Sequence, residues 1–385
     1  MGGGSSLLAG IKSLEPRIRE SVDQIEADQC LPDDLIEGFR DIGLFRASWP
    51  KSFGGSELDY IEMLEAVEEL SRYDGSVGWL GAFASISGMM ASHLAPEVIA
   101  EMFPSADSVT AGQYAPVGKA ERVDGGYRVS GRWSFGSGCR HATALMAGVM
   151  VTENGQPARD ADGKVETRMI MIPVGQAEIF LDSWNTSGMR GTGSHDYAVT
   201  DLFVPEGKTF SFFDPPKYDA PLYASPMLFL GSHVPMPLGI ARAAIDYVVD
   251  LAQTKRYPPG PRMLRDDDYA QVEVAEAEAM LGSVRAWTYE VMRDFWATLC
   301  RKEEPSARQK AMFRLSLVHV SRVALEVVQK MYDVAASSAI KQNSPMDRLM
   351  RDILTVCQHR VVSPRMYRPA GKALLGVKIE NDPFF

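Results

Sequence analysis

Apolar residues recur three or four positions apart between Leu14 and Ala27, at Ile18, Val22 and Ile25, the spacing of one buried helix face. Pro32-Asp33-Asp34 predicts a second helix, because a first turn tolerates proline and favours acids, and Gly43 stops it. A third helix is expected from about Leu58 to Arg72, and Asp74-Gly75-Ser76 opens a fourth, wholly buried one. Its stretch from Val77 to Pro96 is the most apolar in the chain. Ser85, Ser87, Ser92 and His93 interrupt it, which suits a core helix rather than a membrane span. From about Ser108 the period changes to two. Tyr127-Arg128-Val129-Ser130 alternates after a Gly125-Gly126 turn, Met169-Ile170-Met171-Ile172 reads as a buried strand closed by Pro173, and Tyr197 to Val204 reads as another. Six or more short strands in this region predict a compact barrel or sandwich.

A loop of prolines and aromatics from Phe210 to Pro226 returns the chain to helical periodicity. Helices are expected over about 236–255, 267–303, 306–342 and 346–361, with breaks at Pro258-Pro259-Gly260-Pro261 and Ser344-Pro345. Long helices on short loops predict an antiparallel bundle. The expected organisation is α+β: an N-terminal helical domain at 1–107, a central β-domain at 108–215 and a C-terminal four-helix bundle at 216–385. Composition adds exclusions. The 385 residues are 45% hydrophobic and 23% charged, a globular balance, and the net charge of −10 is spread along the chain, which argues against a nucleic-acid partner. The four cysteines, Cys30, Cys139, Cys300 and Cys357, lie far apart without a CxxC, so neither a disulfide framework nor a metal site is expected. That usage suits a reducing cytoplasm, and Met1 to Ser6 lacks the basic and apolar run of a secretory leader.

The most specific segment of the β-region is Gly131-Arg132-Trp133-Ser134-Phe135-Gly136-Ser137-Gly138. Two glycines around one hydroxyl let backbone approach a flat ligand, with Phe135 against a ring and Ser137 as a hydrogen-bond donor. The same residues also read as a strand ending in a glycine turn. From Leu31-Pro32 to the last helix, the chain resembles the acyl-CoA dehydrogenase superfamily. Pro50-Lys51-Ser52-Phe53-Gly54-Gly55-Ser56 is similar to that family's first-domain signature, and Asp201-Leu202-Phe203-Val204-Pro205 to the end of its β-domain. The resemblance implies a helical domain, a β-barrel and a helical bundle, usually in a homotetramer.

Two departures separate this chain from the dehydrogenases. Gln113-Tyr114-Ala115-Pro116-Val117-Gly118-Lys119-Ala120 replaces their Thr-Glu-Pro…Gly-Ser-Asp segment. Arg360, which stays protonated and cannot serve as a base, stands where many of them hold a glutamate, with His359 beside it. The altered motifs are similar to those of flavin-dependent monooxygenases, the oxygenase components of two-component aromatic hydroxylases and N-hydroxylases. They comprise Ala115 to Gly118, Gly131 to Ala142, Gly188-Met189-Arg190-Gly191-Thr192-Gly193-Ser194 and Arg348…Arg351-Asp352…His359.

This resemblance implies that a separate reductase supplies reduced FMN or FADH2. With molecular oxygen the flavin is expected to give a C4a-hydroperoxide that hydroxylates a small aromatic substrate. Ser137 is expected at flavin N5, and His359 at the flavin or as a base for the substrate. Trp133, Phe135, Trp184, Arg190, Thr192 and Ser194 are expected along the flavin, and Arg256 at its phosphate from a neighbouring subunit. Tyr257-Pro258-Pro259, where dehydrogenases have Gln-Phe-Gly, tilts the expectation towards FMN. His93, Tyr114 and His141 are the expected substrate contacts. Plainer readings stand beside these: Trp184 as core, His93 as a packed helix end, His141 as a surface turn and Asp352 as structural, while His233 and His319 carry no argument. The alternatives are an acyl-CoA dehydrogenase or nitroalkane-type oxidase using FAD with its carboxylate elsewhere, and an N-hydroxylase of an amine or amino sugar.

Overall fold

The computed structural model describes residues 4–160, 163–257 and 259–379, so Pro258 and the opening Met1-Gly2-Gly3 lie outside the described residues. Before the sheet run α1 (Gly4–Asp28), α2 (Asp33–Asp41), α3 (Tyr60–Tyr73), α4 (Gly75–Ser85), α5 (Ser87–Ala91) and α6 (Pro96–Met102). Leu7 and Ile11 extend the buried stripe of Ile18 and Ile25, so α1 begins ahead of the expected Leu14. Side-chain caps start the next helices: Asp59 accepts from the Ile61 amide at 2.8 Å and Asp74 from that of Val77 at 3.0 Å.

The single apolar helix expected after Asp74 is broken instead. Serine hydroxyls satisfy buried backbone at the break: Ser87 Oγ, within the stretch, accepts from the Thr110 amide at 2.9 Å, and Ser48 Oγ, ahead of α3, from that of Gly88 at 3.0 Å. Gly88 passes so close to Trp49 that a Cβ there would lie 2.4 Å from its backbone.

The middle of the chain forms one mixed sheet rather than a closed barrel or a sandwich. Its strands are β1 (Thr110–Val123), β2 (Gly126–Gly136), β3 (Ala144–Glu153), β4 (Gln156–Pro157), β5 (Thr167–Pro173), β6 (Glu178–Phe180), β7 (His195–Pro205) and β8 (Thr209–Phe210). The order is β6-β7-β2-β1-β3-β5-β8, with β4 on β3; β1 and β3 are parallel and the other pairs antiparallel.

After the sheet come α7 (Met227–Gly231), α8 (Pro235–Ala252), α9 (Asp268–Cys300), α10 (Ala307–Ala335), α11 (Pro345–Val356) and α12 (Tyr367–Leu374). Helix α10 packs on α8, α9 and α11, α12 covers α10, and α8 lies against α3. Ser306 and Gln309 form a reciprocal cap at the start of α10, and Ala336, with φ of +47°, ends it well before the expected residue 342. The last expected helix likewise stops at Val356, so His359 lies beyond it, and α12 was not foreseen. Met227–Ala252 is long and apolar enough to cross a membrane, but 83% of its apolar window is buried inside the fold.

One buried polar joint ties the layers together. Asp352 of α11 accepts from the Met189 amide at 2.6 Å, and it reaches α4 because Gly75 has no side chain: a Cβ there would lie 2.9 Å from Asp352 Oδ2. Around it, Arg348 and Arg351 bind Glu26 of α1 at 2.9 and 2.6 Å, and Arg351 also holds Asp347 and the Ser187 carbonyl, each at 2.7 Å. Burial pushes both Asp74 and Asp352 upward, and the charge of Asp74 adds to the shift at Asp352, which reaches about 8. The folded chain therefore keeps a proton that the unfolded chain has lost above the ordinary carboxylate range. Stability falls as pH rises from that range to about 8. Asp352→Asn, which keeps an acceptor for Met189 without the charge, should flatten the fall of Tm between about pH 5 and about pH 8; equal slopes for variant and wild type would contradict this assignment.

Candidate active site

The last residue of β2, Gly136, pairs with the first of β7, His195, and the register slips between Trp133 and Gly136. The slip forces Phe135 into a φ of +64°, a conformation that costs a bulky residue about 1–3 kcal/mol, and leaves its ring 60% exposed. That ring meets Trp184 edge-on at 6.1 Å. The same pairing sets Ser137 beside Ser194, their hydroxyls 2.7 Å apart. Ser194 lies 2.7 Å from Thr192 Oγ1, which donates to the Met189 carbonyl at 2.7 Å, and Trp184 Nε1 donates to that carbonyl at 3.1 Å. Trp79 Nε1 donates to Ser137 Oγ at 3.2 Å.

Because a carbonyl only accepts and an indole N–H only donates, the direction of the series is fixed. Thr192 gives its proton to Met189, Ser194 gives its own to Thr192, and Ser137 gives its own to Ser194. Ser137 therefore faces the crevice as an acceptor, not as the donor expected from sequence.

Trp79 also reaches the histidines. It lies 5.7 Å from both His359 and His233, whose rings are 4.4 Å apart. From there rings follow without a gap. Phe83 is 5.3 Å from His233, Phe229 is 6.1 Å from Phe83, Phe212 is 5.8 Å from Phe229, and Tyr114 is 4.9 Å from Phe212. His93 lies 5.8 Å from Phe212 and stacks on Phe210 at 5.1 Å. Tyr114 sits where the β1–β3 register slips between Gln113 and Gly118, and the absence of a side chain at Gly148 allows that backbone to pass. A cleft of about 280 Å3 opens beside this wall, lined by Met89, Met90, His93, Phe212, Met227 and Phe229 among others. Burial pushes His359 and His93 down to about 4 and His233 well below the ordinary imidazole range, so all three are neutral near pH 7, and it pushes Tyr114 up to about 12.

Not every expected residue joins this cluster. Trp133 is fully buried in the sheet core, stacked on Tyr197 at 5.5 Å with Nε1 bonded to the Gly148 carbonyl at 2.8 Å. Residues two apart on a strand share a face, but the slip between Trp133 and Phe135 sends them to different surroundings. Trp133 thus lies in the sheet core while the Phe135 ring stays exposed.

Arg190 is engaged within its own turn, donating to the Thr186 carbonyl at 3.1 Å and lying 3.9 Å from Glu26. Arg256 is exposed on a short bridge with Met263, apart from the residues around Ser137. His141 shares a small crevice with Ser137 and is 3.1 Å from Cys30 Sγ, a half-buried pairing. Trp79, His233, Phe83 and Phe229 were not singled out by sequence; three lie in apolar helices and His233 in the turn before α8, and none gives a sign of which ring it meets.

Family models for the acyl-CoA dehydrogenase N-terminal and C-terminal domains match residues 12–104 and 232–364. An indole-3-acetate monooxygenase of Acinetobacter baumannii is 32% identical over 367 residues, covering 94% of this chain and 92% of that protein. The oxygenase component of an FADH2-dependent resorcinol hydroxylase from a Rhizobium species is 29% identical over 376 residues, 91% of this chain and 88% of its own length. The crystal structure of a 3-HSA hydroxylase from Rhodococcus sp. RHA1 superimposes with a TM-score of 0.92 at 26% identity, covering 99% of each chain. These matches set aside the dehydrogenase and nitroalkane-oxidase alternatives. With its polar series at Ser137, the chain belongs to the acyl-CoA dehydrogenase superfamily, as the oxygenase component of a two-component flavin-dependent monooxygenase.

Proposed function

We propose that this oxygenase component takes reduced FMN, or FADH2 in its place, from a separate flavin reductase and hydroxylates a small phenolic substrate in the cytoplasm. The flavin supplies, when bound, the reaction with molecular oxygen that makes one oxygen atom transferable. The observation that carries the reading is the continuous wall of aromatic rings from Trp79, bonded to Ser137, to the cleft beside His93. A flat flavin fits the residues at its Ser137 end. Phe135 offers an exposed ring held in a strained conformation, and Ser137 offers an acceptor whose own proton is already spent.

An acceptor is the partner that the N5–H of a reduced flavin requires, and holding that proton delays its loss. The apolar rings exclude water from the reacting atoms. Tyr114 and His93 flank the substrate end, His141 closes the Ser137 crevice, and Arg256 meets the flavin phosphate of a neighbouring subunit in a homotetramer. The division at residues 107 and 215 is kept, with the flavin ring on the central unit and His359 on the C-terminal one.

Ser137→Ala should raise the hydrogen peroxide released per flavin oxidised several-fold, the scale of one lost hydrogen bond of about 1 kcal/mol. Peroxide assay against product yield measures it, and unchanged coupling would contradict the role of Ser137. Phe135→Gly relieves the positive φ while removing a ring face. The expected result is a Tm unchanged or raised, with weaker binding of reduced FMN in anaerobic titration; a lower Tm with undiminished binding would show that the strain serves packing instead.

A further inference from the structure

His233 is buried to 2% exposure in the turn between α7 and α8, and its Nε2 has no hydrogen-bond partner. Its Nδ1 lies 2.9 Å from the Leu230 carbonyl. A carbonyl only accepts, so Nδ1 carries the ring proton and Nε2 presents a bare lone pair. Rings surround it: Trp79, Phe83 and Phe229 stand edge-on at 5.7, 5.3 and 6.4 Å, and His359 lies at 4.4 Å.

His359 has the opposite polarity. Its Nδ1 accepts from the Val361 amide at 3.3 Å, so in the neutral ring the proton is on Nε2. The pair thus holds one free acceptor, on His233, and one N–H donor, on His359. A buried acceptor left unsatisfied is costly and uncommon, and it calls for a partner that arrives from outside. A donor and an acceptor side by side among aromatic rings match a group that both gives and takes a hydrogen bond. On an aromatic ring, that group is a hydroxyl.

We propose that His233, through Nε2, is the acceptor for the phenolic hydroxyl of the substrate, while His359 donates to the same oxygen. This rests on the phenolic-substrate reading above and moves the base from His359 to His233. In the step, the substrate O–H bond breaks as the ring carbon takes up the transferred oxygen atom, and its proton binds Nε2, giving an imidazolium. The electron pair stays on the oxygen and makes the ring carbons more nucleophilic. Burial keeps the imidazole neutral, so the lone pair is available throughout the working pH range.

Two measurements test this. In flavin-free protein, isothermal titration compares phenol with toluene, which has the same shape and no hydroxyl. Wild type should bind phenol roughly tenfold more tightly, the scale of one hydrogen bond in a dry site. His233→Phe should abolish that preference, and His233→Asn, which keeps an acceptor, should retain it.

With reduced flavin, His233→Asn should lose turnover of phenol, because an amide cannot take a proton. It should regain turnover with 4-nitrophenol, which is partly ionised near neutral pH. His359→Asn should lower both substrates alike. A phenol preference that survives His233→Phe, or acid-phenol rescue seen in His359→Asn instead, would overturn the assignment. Should wild type hydroxylate indole yet bind phenol no better than toluene, the phenol assignment falls and the monooxygenase reading stands. Should it oxidise no aromatic with either flavin, the substrate reading falls, while the binding comparison still decides whether His233 holds a hydroxyl.

Discussion

The hydrogen bond from the Met189 amide to Asp352 is the constraint on which the site depends. It joins residues 163 positions apart and holds Met189 in a left-handed conformation, φ +54°. From that residue the carbonyl collects Thr192 and Trp184, Thr192 collects Ser194, and Ser194 collects Ser137. Each donor in the series is fixed by the one before it, so the lone pair that Ser137 shows to the crevice is determined at the far end, by a carboxyl on α11. Asp352 can stand there without a full buried charge because burial and Asp74 favour its protonated form. The charged side of the joint is carried outward by Glu26 and its two arginines.

The second constraint is dryness. Trp79 is the hinge between the polar series and the aromatic wall, since one indole gives its N–H to Ser137 and its faces and edges to His233, His359 and Phe83. Inside such a wall a polar atom is expensive unless partnered, and an interaction is correspondingly strong when made. Nearly every polar group here is paired within the chain. Among the described residues, His233 Nε2 and His93 Nδ1 in this wall, and His195 Nδ1 beside Ser194, are buried nitrogens without a hydrogen-bond partner, and the first two are where a ligand would contribute.

Much of this was legible in the sequence, and the gaps have physical causes. The helix–sheet–helix order followed from periodicity, and Ser137, Phe135, Thr192 and Ser194 from their glycine-flanked motifs. The broken helix after Asp74 was hidden because Ser85 and Ser87 look like blemishes in an apolar run, whereas Ser87 satisfies a backbone amide at the start of β1. The different surroundings of Trp133 and Phe135 were not legible, because a register slip is invisible to a period of two. Asp352 looked structural, and seven residues of helix separated it from His359, but its partner is a backbone amide in the β-region. His233 lacked any local signal: its meaning comes from a neighbour more than a hundred residues away and from an atom that has no partner at all.

The account's central claim is that the Ser137 end of this wall holds a reduced flavin dry and with its N5 proton retained. The direct measurement is rapid mixing of the protein carrying reduced FMN, and separately reduced FAD, with oxygenated buffer, followed by its full absorption spectrum and a count of peroxide released. The account predicts a transient spectrum distinct from both reduced and oxidised flavin, decaying more slowly than free flavin oxidises, with peroxide appearing only as it decays. Direct conversion to oxidised flavin with both cofactors, with peroxide released at once, would contradict it.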